Sequence, residues 1–130
     1  MLKIIQIVAA IVLVLHGLIH LMGTAVYMKL AELEGFSYKT TLLGGRLDLG
    51  EGGIRVFGAL WVVPAIGFVA VGVALLAGWE WWPPVLVAAT LFSLVLTALD
   101  WSVAYAGVIV NVLILAIIWI GPRFTGWVFR

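Results

Sequence analysis

The sequence predicts an all-α fold: a four-helix transmembrane bundle with a long loop after the first helix and a tight hairpin joining the last two. Three observations carry that expectation. The 130 residues are 65% hydrophobic and only 10% charged, whereas soluble domains average roughly 25% charged residues. Mean hydropathy is +1.27. Finally, four stretches approach or exceed the roughly 20 apolar residues that cross a hydrocarbon core: Ile4 to Met28, Ile54 to Ala77, Pro83 to Ser102 and Val103 to Ile120. Little sequence is left outside them, so residues 1–130 read as a single membrane domain.

The first stretch opens with Lys3 and an apolar run, as a secretory signal does. No convincing small-residue cleavage site follows, and the run continues through His16 and His20, so a retained helix is expected. Gly35 is the expected stop of that helix. The connection that follows, "AELEGFSYKTTLLGGRLDLGEGG", holds six of the thirteen charged residues and six glycines. Its Leu42, Leu43, Leu47 and Leu49 are more apolar than a free linker needs, so partial order at the membrane surface is expected. Asp48 and Glu51 precede the second helix, where the positive end of the helix dipole favours carboxylates. In "GWEWWPP", Trp79, Trp81 and Trp82 suit the headgroup region, and Pro83 and Pro84 suit a first helical turn. Almost nothing separates the third and fourth stretches. Past Gly121 and Pro122 a short tail is expected.

Composition also excludes functions. A net charge of +1 gives no basic face for nucleic acid. With no cysteine there is no disulfide, thiolate metal site or thiol redox chemistry. Nucleophile motifs, phosphate loops and flavin or nicotinamide fingerprints are absent, so no cofactor is named. Orientation is nearly balanced: Lys3, Arg123 and Arg130 lie on the side of the termini, and Lys29, Lys39, Arg46 and Arg55 on the other. Cytoplasmic termini are expected, because their basic residues lie close to the spans.

Depth places the polar residues. At a rise of about 1.5 Å per residue, His16 and His20 lie roughly 18 and 24 Å along the first helix. Thr97 and Asp100 lie roughly 21 and 25 Å along the third, and Asn111 roughly 12 Å into the fourth from the far side. Arg55 opens the second helix at that same far surface. All six fall in one layer, away from the termini. His16, His20 and Thr24 repeat every four residues, continued by Tyr27, and Thr90, Ser93, Thr97 and Asp100 form a second stripe. Polar groups in lipid are costly unless paired, so both stripes should face a shared interior.

Several readings of that interior stay open. Imidazoles four apart can grip one metal ion, as in H-E-x-x-H, but Gly17 stands where the glutamate would be, so a metalloprotease is excluded. His16, His20 and Asp100 remain weak candidates for a metal. Equally, the imidazoles can be structural glue between helices. Asp100 can be a functional intramembrane carboxylate or a hydrated cap of the last helix, and Arg55 can snorkel to headgroups. Gly58, Gly67 and Gly72 read as close-packing sites.

Two segments, "LHGLIHLMG" and "ALDWSVAYAGVIVNVLIL", resemble those of a family of small bacterial four-helix membrane proteins. That family shows H-G-x-I-H-L-x-G in its first helix and a late W-S-x-x-x-x-G-x-x-x-N. The matching positions are His16, Gly17, Ile19, His20, Leu21 and Gly23, then Trp101, Ser102, Gly107 and Asn111. The resemblance implies the four-helix fold, a pairing of the two segments and a transport-related setting, without a mechanism. The expected function is therefore a small multi-pass inner-membrane protein whose polar pocket binds a small ligand, ion or proton. His16, His20 and Asp100 would form its titratable centre, oriented by Asn111, Thr97 and Arg55. The alternatives are a structural subunit of a larger membrane complex or a homo-oligomer, and, less favoured, an enzyme acting on a lipid-soluble substrate.

Overall fold

The computed structural model describes residues 2–124. In chain order it contains α1 (Leu2–Tyr27), β1 (Thr41–Leu42), β2 (Leu47–Asp48), α2 (Gly50–Leu60), α3 (Val62–Ala77), α4 (Trp82–Leu99) and α5 (Trp101–Phe124). Among the described residues, four helical runs are long and apolar enough to cross a membrane: Lys3–Tyr27, Gly50–Ala77, Trp82–Leu99 and Trp101–Gly121. The second run joins α2 and α3 across a break at Trp61. Pro64 explains the break. It has no N–H to offer the Leu60 carbonyl, and its ring crowds that same oxygen.

α1 ends earlier than Gly35. Lys29 takes the left-handed conformation at φ 55° and donates to the Val26 carbonyl at 3.1 Å, while the Leu30 N–H reaches the Ala25 carbonyl at 2.8 Å. This pair of bonds is a Schellman closure, built on a lysine in a conformation costing roughly 1–2 kcal/mol. Gly35, at φ 78°, turns the loop instead, between Leu33 and Phe36. α3 also closes on a left-handed residue, Gly78, but there the Gly78 and Trp79 N–H groups share the Ala74 carbonyl, the latter at 2.9 Å. Pro83 and Pro84 stand in the first turn of α4, where a missing N–H costs nothing.

Asp100 alone separates α4 from α5. Its N–H bonds the Leu96 carbonyl at 3.2 Å, and its own carbonyl accepts from Ala104 at 2.8 Å. The fourth span thus begins before Val103. Helix continues through Gly121 and Pro122 to Phe124, where a tail was expected; residues 125–130, including Arg130, lie outside the described residues. In the long connection, β1 and β2 pair antiparallel, Thr41 with Asp48 and Leu42 with Leu47. Leu42 is buried, while Leu43 and Leu47 stay exposed.

α1 packs on α2 and α3, α3 on α4, and α4 on α5. Close approach is enabled by absent side chains. A Cβ on Gly17 would stand 2.9 Å from the Ala65 carbonyl oxygen, one on Gly58 2.8 Å from Tyr27, and one on Gly72 3.0 Å from the Ala10 carbonyl oxygen. Gly67 meets Ala89 and Gly107 meets Thr97, each at 2.8 Å. Apolar residues gather in two clusters, one around Leu13, Phe68, Val71 and Leu86 and one around Tyr27, Leu42, Ile54, Phe57 and Leu96. Trp82 belongs to the first cluster and is buried, whereas Trp79 and Trp81 are exposed and stacked; only those two suit the anchoring role. The buried polar residues His16, His20, Thr90, Ser93, Thr97 and Asn111 lie between the two clusters.

Candidate functional site

α1, α4 and α5 each contribute to a closed circuit of hydrogen bonds in that middle layer. The His16 Nε2–H donates to Asn111 Oδ1 at 3.0 Å. Asn111 Nδ2–H donates to Ser93 Oγ at 2.8 Å, and the Ser93 hydroxyl reaches His20 Nε2 at 2.5 Å. The His20 Nδ1–H closes the ring on the His16 carbonyl at 2.7 Å. The Asn111 Oδ1 and His16 carbonyl acceptors require protons on His16 Nε2 and His20 Nδ1. Thr97 braces the ring, donating to the Ser93 carbonyl at 2.8 Å and sitting 3.4 Å from Asn111 Nδ2. The rings of His16 and His20 meet edge-on at 4.8 Å, and Phe68 packs against both. The i, i+4 spacing on α1 makes this possible, since it stacks both imidazoles on one face.

Asp100 is not part of that ring. Its carboxylate accepts from the Tyr27 hydroxyl and from Lys39 Nζ at 2.6 Å, and it is 1% exposed. Lys39 also touches Ser102 Oγ at 3.3 Å. Tyr27 follows His20 by seven residues, roughly 10 Å of helix, so the single polar layer expected from depth is two. The middle one is a ring of hydrogen bonds and the outer one is an ion pair. A rise per residue measures depth along one helix axis; it does not register a four-carbon lysine reaching in from a loop. Arg55 is exposed on α2, outside both layers. Among the described residues no three of His, Cys, Asp or Glu stand close enough to share a metal ion, because Asp100 is drawn to Lys39 and Tyr27.

Four participants lay outside the expected site set: Tyr27, Ser93, Lys39 and Trp61. Tyr27 and Ser93 were visible as members of the two polar stripes. Charge balance called for a cation beside a buried Asp100, but nothing in the sequence singled out Lys39. Trp61 had no signal in the sequence.

A cavity of about 240 Å³ adjoins the ring. His16, His20, Thr97, Gly23, Gly107 and Trp61 contribute to its walls. Ile19 and Met22 of α1 and Ala106 of α5 also line it, and all three are exposed. The cavity therefore opens sideways between α1 and α5, which do not pack closely on each other. Phe36 of the loop lines it too and packs on Tyr27 at 5.4 Å between ring centres. Trp61 is 5% exposed, and its Nε1–H is buried without a hydrogen-bond partner. An unsatisfied buried donor costs about 1–3 kcal/mol.

Chemically, the Ser93–His20 contact has the form of a nucleophile beside a base. Ser93 is nevertheless fully buried, accepts from Asn111 and does not line the cavity, so nothing entering the cavity can meet its oxygen. The fold and this site define a class: a small all-α bundle with four membrane-length helices around a buried polar centre. Compared with models of protein families, with curated proteins and with solved structures, the chain matches none.

Proposed function

We propose that this chain is a small multi-pass protein of the bacterial inner membrane, with cytoplasmic termini, that holds a small molecule in the cavity between α1 and α5 in an accessory or transport-related role. The observation carrying this reading is the cavity itself, which brings the polar centre at His16 and His20 to a mouth on the lipid-facing side. A neutral molecule is favoured over an ion or proton, because the described contacts engage His16 Nε2 and both nitrogens of His20 and Asp100 is paired elsewhere. Membership of the family with the H-G-x-I-H-L-x-G and W-S-x-x-x-x-G-x-x-x-N segments belongs to the same proposal. It is supported by the bond between His16 of the first segment and Asn111 of the second.

Native mass spectrometry of the chain released from lipid nanodiscs tests the reading. The wild-type chain should carry an additional small mass, and Ala106→Phe, which places a ring in the mouth, should lose it. A bare wild-type chain, or equal retention by the variant, would count against it.

A second reading, a subunit of a larger assembly, is favoured by α5. Only 6% of its apolar window is buried, against 44% for the span formed by α2 and α3. The close-packing glycines are used within the chain rather than offered to a partner, since Gly58, Gly67 and Gly72 all face neighbouring elements. The same spectra separate the readings: a monomer with an added mass supports the first, and a stable multimer of bare chains the second.

A further inference from the structure

We infer that the α1–α5 seam binds an uncharged amphiphile with a single hydrocarbon chain, its compact head in the cavity beside His16 and His20 and its chain in a second cavity along the same seam. The inference rests on the first cavity being a ligand site and adds the class of ligand. The second cavity, of about 400 Å³, lies between the N-terminal half of α1 and the C-terminal half of α5. Its lining runs from Ile4 to Leu13 on α1 and from Ile114 to Ile118 on α5, joined by Leu86 of α4, and every lining side chain is aliphatic. Val8, Val12 and Ile117 are exposed, so this cavity also opens on the lipid side.

Helical register joins the two cavities. On α1 the second ends at Leu13 and the first begins at His16; on α5 they meet across Val110 and Ile114. Steps of three and four residues keep one helix face, so the lining is a continuous stripe on each helix. Asn111, which bridges the seam to His16, is fully buried and lines neither cavity, so the bridge lies beneath the groove and does not cross it. From Ile4 to Leu13 α1 rises roughly 13 Å. An extended chain advances roughly 1.2 Å per bond, so about ten carbons match the second cavity. Depth and charge select the head. His16 and His20 lie roughly 18 and 24 Å from Ile4, inside a hydrocarbon core of about 30 Å. A phospholipid headgroup would have to leave the interface to reach them. Among the described residues no Asp, Glu, Lys or Arg lines either cavity, so a charged head would arrive without a counterion, at a large desolvation cost. An uncharged head avoids that cost and meets a wall that includes His16, His20 and Thr97. A cavity near 150 Å³ accommodates benzene, so about 240 Å³ limits the head to the size of one ring. Joining head and chain makes the second contact intramolecular and raises its effective concentration.

The test uses the full-length chain in phosphatidylcholine nanodiscs and 1-dodecanol carrying a photoactivatable diazirine near its methyl end. After illumination, peptide mass spectrometry should find adducts on Ile4–Leu13 and Ile114–Ile118 in excess over Ile66 and Val73, which are exposed on α3. Unlabelled 1-dodecanol should lower that excess to the α3 level. Dodecyltrimethylammonium, with the same chain and a fixed charge, should leave it in place. Ala9→Phe, which sets a ring in the second cavity, should abolish it. Seam labelling no higher than that of α3, or an excess removed equally well by the charged amphiphile, overturns the inference. If the seam labelling fails while the wild-type chain still carries an added mass that Ala106→Phe loses, the ligand site stands and the chain assignment falls. If both fail, the ligand site falls as well. Competition on the wild-type chain alone decides the matter if Ala9→Phe does not fold.

Discussion

Asn111 is fully buried and joins α5 to α1 and α4 through His16, Ser93 and the longer Thr97 contact. Within a bilayer each such bond contributes on average only about 0.6 kcal/mol. Asn111→Ala removes all of them and strands the His16 N–H, so a loss of about 1–3 kcal/mol is expected. Thr97→Val should cost less, because its contact with Asn111 is long and its own donor is deleted together with its need for a partner. Thermal unfolding in detergent measures both, and a larger loss at Thr97 would refute the ring as the main connector. The outer layer behaves differently. Lys39→Ala leaves the Asp100 carboxylate buried with only Tyr27, a situation that costs up to about 3–5 kcal/mol. Asp100→Asn removes the charge, and Lys39, part-exposed at 26%, can turn to water. The lysine variant should therefore be the worse of the two, and adding Asp100→Asn to it should restore part of the loss. Equal effects would mean that the pair is not electrostatically coupled.

Among the elements, α1 owes its position to missing side chains. The Cβ of Gly17→Ala would press on the Ala65 carbonyl oxygen at 2.9 Å and on Phe68 Cβ at 3.0 Å, atoms with little freedom to retreat, so destabilisation by about 1–3 kcal/mol is expected. Gly52→Ala meets nothing within 4 Å and removes backbone entropy, giving a gain of up to about 1 kcal/mol. Reversed signs in a melting comparison would refute the packing account. The joint between β2 and α2 should respond to acid. The Gly50 N–H and the Thr40 hydroxyl both bond Asp48 Oδ1 at 2.9 Å and hold its carboxyl below the ordinary value of 3.8. Because the folded value is the lower one, this contribution is fully present above 3.8 and is lost as pH falls through the lowered value. Acid titration should release the Gly50 amide to faster hydrogen exchange than the amides of α3; a uniform change would contradict the local origin. Sequence alone made the four apolar spans legible, because hydropathy summed over a span averages out local error. It did not reveal the α2–α3 break, which follows from one proline whose consequence lies four residues upstream.

For the whole molecule, the meeting of His16 with Asn111 was legible from depth, since each lies on a regular helical stretch of known rise, Asn111 beyond the kink at Ala104 in α5. The partner of Asp100 was not, because Lys39 reaches it from a loop with no periodicity. The cavity was not legible either. It arises because Gly17 and Gly23 draw α1 towards α3 and Trp61, while Gly107 draws α5 towards α4, leaving the α1–α5 seam bridged by His16 and Asn111. Orientation is open to a direct experiment, since the chain has no cysteine. In cells, Glu34→Cys should react with an impermeant maleimide added outside and Glu80→Cys should not; the opposite pattern would place the termini outside. The central claim, a lipid-facing cavity that holds a small neutral molecule against the polar ring, is tested most directly by a high-resolution structure determined in lipid nanodiscs. The account predicts non-protein density between Trp61, His20 and Gly107, with His16 still bonded to Asn111. A seam closed by α1 against α5, with side chains filling the space and no added density, would contradict it.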